Sequence, residues 1–454
     1  VRVAGIANGS IGGQATSLVI RALRVPCQVK PTVQHAEGDQ RREPHVKVFC
    51  GIDWAESHHD IALIDGAGDL VAKRRIKDTA DGYGELLQLL ADAGDDPADP
   101  IPVAIETPRG LLVAALRGTG RKVYSINPMA VARYRERHTV SRKKSDHLDA
   151  MTLANILRTD AHAHRPLPDD TELARAITVL ARAHQDATWR RTKASNELRS
   201  LLREYFPTFL AAFAGRTTNL TSREARAVLA IALTPTAAAQ LTRPRIAAAL
   251  RRAGRQRGID VLAGQLHQAL RQPQLHHPPL VERAMGEQAR ALLAVLDTEC
   301  ANADRLGETV AEAFHQHPDH KVITSFPGLS DQLGARVLAE IGDDRDRFAD
   351  ARALKAYAGS APVTRASGRS ISITHRTIKN DRLAGAGFVW AFAASTNHEP
   401  ARAHYQRRRN QGDRHSAALR HLFNRMLGQL FHCLQTSQTY DPDKAFTPTL
   451  MTAA

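Results

Sequence analysis

Apolar positions along the chain become regular at Val46. VKVFCGIDWA reads as a buried strand, HDIALID as a second and LVAKRRI as a third, with polar or glycine-containing turns between them. A helical stretch follows in DGYGELLQLLADAG, then a strand in IPVAIET, a helix in GLLVAALRGTG and a strand in KVYSIN. Hairpin strands followed by βαβ units predict an α/β domain, a mixed sheet with helices on its faces, ending near residue 165. From about 169 to 315 the period lengthens to that of helices. TELARAITVLARAHQDATWRRTKASNELRSLLREYF supports one long amphipathic helix stopped before Pro207, and PPLVERAMGEQARALLAVLDTECANADRLGETVAEAFHQH supports another. The two are expected to pair as an antiparallel hairpin, serving as a dimerisation arm, a nucleic-acid spacer or a plain connector. KVITSFPGLSDQLGARVLAEIGD reads as helix, tight turn, helix, and HSAALRHLFNRMLGQLFHCL carries an apolar stripe. The expected organisation is thus an α/β domain over 46–165, a helical region over 166–320, a small mainly helical domain over 321–440 and a disordered tail over 441–454. Residues 1–45 lack either period and are expected to be a flexible extension or sequence upstream of the working start.

Composition narrows the partner. A chain of 454 residues with 43% apolar content buries a large core, and a net charge of +15 with a pI near 10 calls for a polyanion. Aromatics make up only 5%, which favours contact with phosphates over base stacking. No run reaches the ~18 apolar residues of a membrane span, so a cytoplasmic protein without a membrane partner is expected. Cys27, Cys50, Cys300 and Cys433 form no CxxC pair and predict neither a disulfide framework nor a zinc knuckle. The histidines of LHHPP and FHQHPDH are read as solvated polar turns.

Four carboxylates stand in telling places. Asp53 interrupts an otherwise apolar strand, and Glu106 closes a later strand in VAIETPRG. Buried strand carboxylates are costly unless compensated, and strand ends are where ligands bind in α/β folds. KKSDHLDA then begins a helix in which Asp146 and Asp149 are three residues apart, with Ser145 as its N-cap. An acidic helix start favoured by the dipole explains Asp146; it explains Asp149, which borders the apolar stripe, less well. Together the four suit two Mg²⁺ ions acting on a phosphodiester. The basic run YRERHTVSRKK, with Arg135, Arg137, Arg142, Lys143 and Lys144, reads either as a solvated face or as an approach path for a nucleic-acid backbone. The same two readings apply to Arg402, Arg407, Arg408, Arg409 and Arg414. In FPGLS, backbone amides at a helix start offer a phosphate seat or merely join a helical hairpin. Ser367, beside Gly368 in ASGRSISITHR, is placed in a polar loop, with Ser370 and Ser372 as competitors; serine is a poor nucleophile unless activated.

In their order, GIDWAE, VAIETPRG, KSDHLDA, FPGLS, RFADARALKAYAGSAPVTRASGRS and YQRRRNQGDRHSAALRHLFNRML resemble the IS110/IS116/IS902-type transposases over residues 46 to 440. That resemblance implies a RuvC-like, ribonuclease-H-type domain with a DEDD set at Asp53, Glu106, Asp146 and Asp149, and a C-terminal domain whose nucleophile is Ser367. It further implies Mg²⁺ as cofactor, a covalent 5′-phosphoserine intermediate, donor and target DNA paired to a non-coding bridge RNA, and dimers assembling to tetramers. Arg382 and Lys379 stand where relatives carry an arginine-rich helix. Competing functions are a hydrolytic RuvC-like nuclease using the carboxylates alone, an inactive nucleic-acid-binding protein, and an actin-like sugar kinase suggested by GIDWA.

Overall fold

The computed structural model describes residues 47–138, 146–214, 220–368 and 370–446. The expected N-terminal extension and residues 139–144 of the basic run 134–144 lie outside the described residues. Two compact units divide the chain between Leu167 and Pro168.

The first unit is a five-stranded sheet in the order β3-β2-β1-β4-β5, formed by β1 (Phe49–Trp54), β2 (His58–Ile64), β3 (Leu70–Lys77), β4 (Val103–Ile105) and β5 (Val123–Ser125). The hairpin strands β1, β2 and β3 pair antiparallel, whereas β4 lies parallel to both β1 and β5. Helices α1 (Ala80–Asp92), α2 (Leu111–Gly118), α3 (Pro128–His138) and α4 (Asp146–Asp160) complete it. Strand alternation decides which residue meets which layer. Cys50, Ile52, Ile61 and Ile105 pack with Leu86, Leu90, Leu112 and Leu116 of α1 and α2, while Phe49, Ile64 and Ala104 pack with Leu153, Ile156 and Leu157 of α4. This mixed α/β sheet, covered on both faces, is the architecture expected of a RuvC-like domain. Burial pushes the Cys50 thiol up to about 12, and Cys50, Cys300 and Cys433 are all free among the described residues.

One row of small side chains fixes α4. Ala62, Gly51 and Ala104 are registered neighbours across β2, β1 and β4. A Cβ at Gly51 would lie 2.0 Å from the Ala150 carbonyl oxygen and 2.5 Å from the Ala154 nitrogen. Only glycine allows the helix backbone to rest directly on the strand.

The second unit is almost wholly helical: α5 (Glu172–Tyr205), α6 (Pro207–Ala212), α7 (Arg223–Ile231), α8 (Pro235–Ala239), α9 (Arg243–Arg252), α10 (Ile259–Ala269), α11 (Pro279–His315), α12 (His320–Thr324), α13 (Asp331–Ile341) and α14 (Ala351–Tyr357) precede a hairpin of β6 (Val363–Ser367) and β7 (Ser370–Thr374). Helices α15 (Asp381–Asn397), α16 (Glu399–Asn410), α17 (His415–Thr436) and α18 (Pro442–Phe446) follow. The long helices α5 and α11 do pair antiparallel. Ile177 and Ala181 meet Val310 and Phe314 in one core, and Ala194, Leu198 and Leu202 share a second core with Leu293, Leu296 and Cys300. The second core is filled by α6 to α10, which the hairpin carries at its far end. The first part of the expected disordered tail is ordered: α18 buries Ala445, whose carbonyl accepts from Arg425 and Gln429, and the residues after Phe446 lie outside the described ones. No helix among the described residues is long and apolar enough to cross a membrane.

Candidate active site

Two residues along from the small row, the same sheet face becomes acidic. Asp60 and Asp53 are cross-strand partners, and Glu106 lies one position beyond the last registered pair, Ile52 with Ile105. Alternation puts all three on the α4 side, on neighbouring strands about 5 Å apart. Asp149 precedes Ala150, whose carbonyl covers Gly51, and is only 7% exposed. Three of the four predicted carboxylates therefore gather around one end of one face. Asp146 is the first residue of α4, as the sequence predicts. Its side chain lies outside the described residues.

Two features of this face escaped the sequence reading. Asp60, itself buried, is held by a fork from β3, Arg75 Nε donating to Oδ1 at 3.0 Å and Nη2 to Oδ2 at 2.7 Å. A carboxylate beside Asp53 is thus matched by a two-pronged guanidinium contact within the sheet. Arg135, read from the sequence as part of a solvated face or an approach path, donates from α3 to the carboxylate of Asp149. A half-buried guanidinium there offsets the cost of burying the acid. Cross-strand and helix-to-helix partners of this kind depend on register and packing, which no local spacing encodes.

Ser367 belongs to the second unit. It is the last residue of β6 and pairs with Ser370, so the expected loop is the tip of a β-hairpin turned by Gly368 at φ +55°. Nearly the whole hairpin is exposed, including Ile371 and Ile373. Ser370 and Ser372 lie on the returning strand. Among the described residues no side chain is hydrogen-bonded to the Ser367 hydroxyl. In the same unit a cavity of about 160 Å³ is lined by His375, Arg376, Lys379 and Arg420 together with Ser360 and Phe388. Lys379 also pairs with Asp381 at 3.0 Å.

Other predicted basic positions are taken up locally. Arg382 pairs with Asp186 at 2.8 Å and lies 5.3 Å from the Trp189 ring, so it ties α15 to α5 instead of offering a positive face. Arg402 donates to the carbonyls of Ser395 and Thr396, Arg408 pairs with Asp413 at 2.6 Å, and Arg409 donates to the Asp413 carbonyl. Arg407 and Arg414 remain exposed. The FPGLS turn is packed, with Trp390 Nε1 donating to the Pro327 carbonyl at 2.9 Å and Gly328 at φ +84° against α15. At the start of α13 stands the Asp331 carboxylate, which repels a phosphate from that helix end.

Both residue groups fall within segments that match known proteins. The DEDD transposase domain of the IS110 type matches residues 50–207, and the IS116/IS110/IS902 transposase family matches residues 320–406. A protein described as the mini-circle transposase for IS117 of Streptomyces coelicolor is 58% identical over 412 residues, spanning 91% of this chain and 100% of that protein. The chain belongs to the IS110/IS116/IS902 transposase family. More distant members are the 43.6 kDa protein of insertion element IS110 from Streptomyces coelicolor, 27% identical over 87% of this chain and 96% of its own, and the 42 kDa protein of insertion element IS900 from Mycobacterium paratuberculosis, 28% identical over 87% and 97%. Within this transposase family the first match contains Asp53, Glu106, Asp146 and Asp149, and the second contains Ser367. A DEDD domain is of a type that generally uses a divalent metal.

Proposed function

We propose that this transposase cuts and exchanges DNA strands under RNA guidance through a covalent serine–DNA intermediate, with Mg²⁺ held by Asp53, Glu106, Asp146 and Asp149. The carrying observation is the alignment of Asp53 and Glu106 on one sheet face beside the buried Asp149. An oxygen-only donor set suits a hard divalent cation, and the guanidinium on Asp149 marks that carboxylate as a seat for positive charge. Bound there, Mg²⁺ supplies charge that polarises the scissile phosphate and steadies the oxygens on either side of phosphorus. Asp53, Glu106, Asp146 and Asp149 would hold that charge in place, and Arg135, on Asp149, would place a guanidinium beside the same site.

Ser367 acts as nucleophile from the exposed hairpin tip. Its Oγ forms the bond to phosphorus as the bond to the 3′ oxygen breaks, its proton leaves to solvent, and the 3′ oxygen is protonated as a hydroxyl. A 3′ hydroxyl of the exchanged strand later attacks the phosphoserine and restores the serine. One ester replaces another, so no nucleotide is consumed. Residues 46–165 would carry the metal, 166–320 the helical spacer and 321–440 the serine. The net charge of +15 and the cavity lined by Arg376, Lys379 and Arg420 support polyanionic partners. Donor and target DNA, the bridge RNA and a dimer assembling to a tetramer follow from family resemblance.

The test incubates the full chain with its guide RNA, DNA ends and Mg²⁺, then separates protein under denaturing conditions. A protein–DNA adduct that disappears in Ser367→Ala is expected. Cleavage that continues in Ser367→Ala without any adduct would make the chain a hydrolytic nuclease.

A further inference from the structure

The second unit brings together two histidines and an aspartate that lie far from any acidic cluster in sequence. His315 ends α11, His320 begins α12 and Asp331 begins α13. His315 Nε2 lies 3.0 Å from Asp331 Oδ2, and His320 Nε2 lies 2.9 Å from Asp331 Oδ1. One donor atom from each of the three falls within 4.8 Å of the others. The imidazoles meet edge to face with centroids 4.7 Å apart, and His320 leans on the fully buried Phe314 ring at 4.9 Å. The intervening turn is fixed from below: buried His317 bonds Asp343 at 3.2 Å and Asp319 pairs with Arg345. Sequence reading treated these histidines as solvated turns because Asp331 is eleven residues beyond His320 and is delivered by the fold.

We propose that His315, His320 and Asp331 form a structural transition-metal site, of the zinc class, that clasps the end of the long α11 to the α12–α13 hairpin. Tetrahedral zinc with bonds of about 2.0–2.2 Å needs ligand atoms about 3.3–3.5 Å apart, a small relaxation from the spacings seen. His-x4-His is within the usual ligand spacing, and two imidazoles with one carboxylate favour zinc over magnesium or calcium. His315 has a side-chain exposure of 54%, which leaves the fourth position open to water. Without metal, each Nε2 is instead bonded to one Asp331 oxygen. Binding through Nε2 leaves each imidazole with its single proton on Nδ1, any second proton passing to solvent, and tightens three helix ends into one chelate. This site takes a softer ion than the carboxylates of the first unit, and it stands or falls independently of the proposed chemistry.

The full-length chain, tag-free and stripped with chelator, is titrated with ZnCl₂ and separately with MgCl₂ while melting temperature and bound zinc are measured. About one tightly held zinc per chain and a raised melting temperature are expected, with magnesium at the same concentration giving neither. The double variant His315→Ala/His320→Ala should weaken zinc binding at least roughly 100-fold, as loss of two of three ligands requires. His315→Gln, changing one exposed residue, should lower affinity while its metal-free melting matches wild type, which guards against misfolding of the double variant. Zinc binding of unchanged affinity in His315→Gln, or no binding by the wild type beyond that of the double variant, would overturn the proposal.

Discussion

Replacing Gly51 with alanine perturbs the candidate site without touching a carboxylate. The added methyl would stand 2.0 Å from the Ala150 oxygen, whereas ordinary contact begins at 3.4 Å. Both opposing atoms are backbone, so no side chain can swing aside, and α4 must retreat from β1 by roughly 1.4 Å. Asp149 travels with the helix, and overpacking of this kind costs about 1–3 kcal/mol. A displacement of about 1 Å at reacting groups lowers rates by roughly 100-fold. Gly84→Ala is the matched control: it sits inside α1 with nothing within 4 Å of the added carbon, so it should be neutral or stabilising. Thermal melts report the packing, and Mg²⁺-dependent adduct formation at subsaturating metal reports the site. Wild-type melting and wild-type rates in Gly51→Ala would refute the claim that α4 rests on this glycine and that its position sets the site.

Arg135→Gln should lower metal-free stability by about 1–3 kcal/mol, since it removes a guanidinium from a buried carboxylate, and should raise Mg²⁺ affinity in a calorimetric titration; no change in either contradicts the competition between guanidinium and cation. Ser367→Ala should leave the melting temperature within experimental scatter because the residue is exposed, while Ser370→Ala and Ser372→Ala should retain the adduct in the gel assay. His184 is pushed down to about 4, first by burial and then by the Arg336 and Arg191 charges. The unfolded chain takes its proton near 6.5 and the folded chain only near 4, so this contribution is whole above pH 6.5 and is lost as pH falls towards 4. Denaturant melts across that window should show a decline that His184→Asn flattens.

Periodicity revealed the strands of the first unit, both long helices and the start of α4, since each follows from local alternation or helical spacing. Asp53, Glu106 and Asp149 were visible as carboxylates set against apolar runs. What remained hidden involves partners chosen by tertiary register: Asp60 with Arg75 across the sheet, Asp149 with Arg135 between helices, and Arg382 with Asp186 and Trp189 on another helix. Ser367 looked like a loop residue because its own strand, VTRAS, is short and almost wholly exposed and has no core face to enforce a pattern of period two. The histidines at 315 and 320 gained meaning only from Asp331.

The two cores strung along α5 and α11 also bear on how the chain comes apart. Each core draws on different turns of the same two helices, one around Val310 and Phe314, the other around Leu293 and Cys300. Opening the outer core frees α6 to α10 while the inner turns keep their own apolar partners. Native-state hydrogen exchange should therefore resolve two protection levels within a single continuous helix, with the boundary inside α11 between Cys300 and Val310.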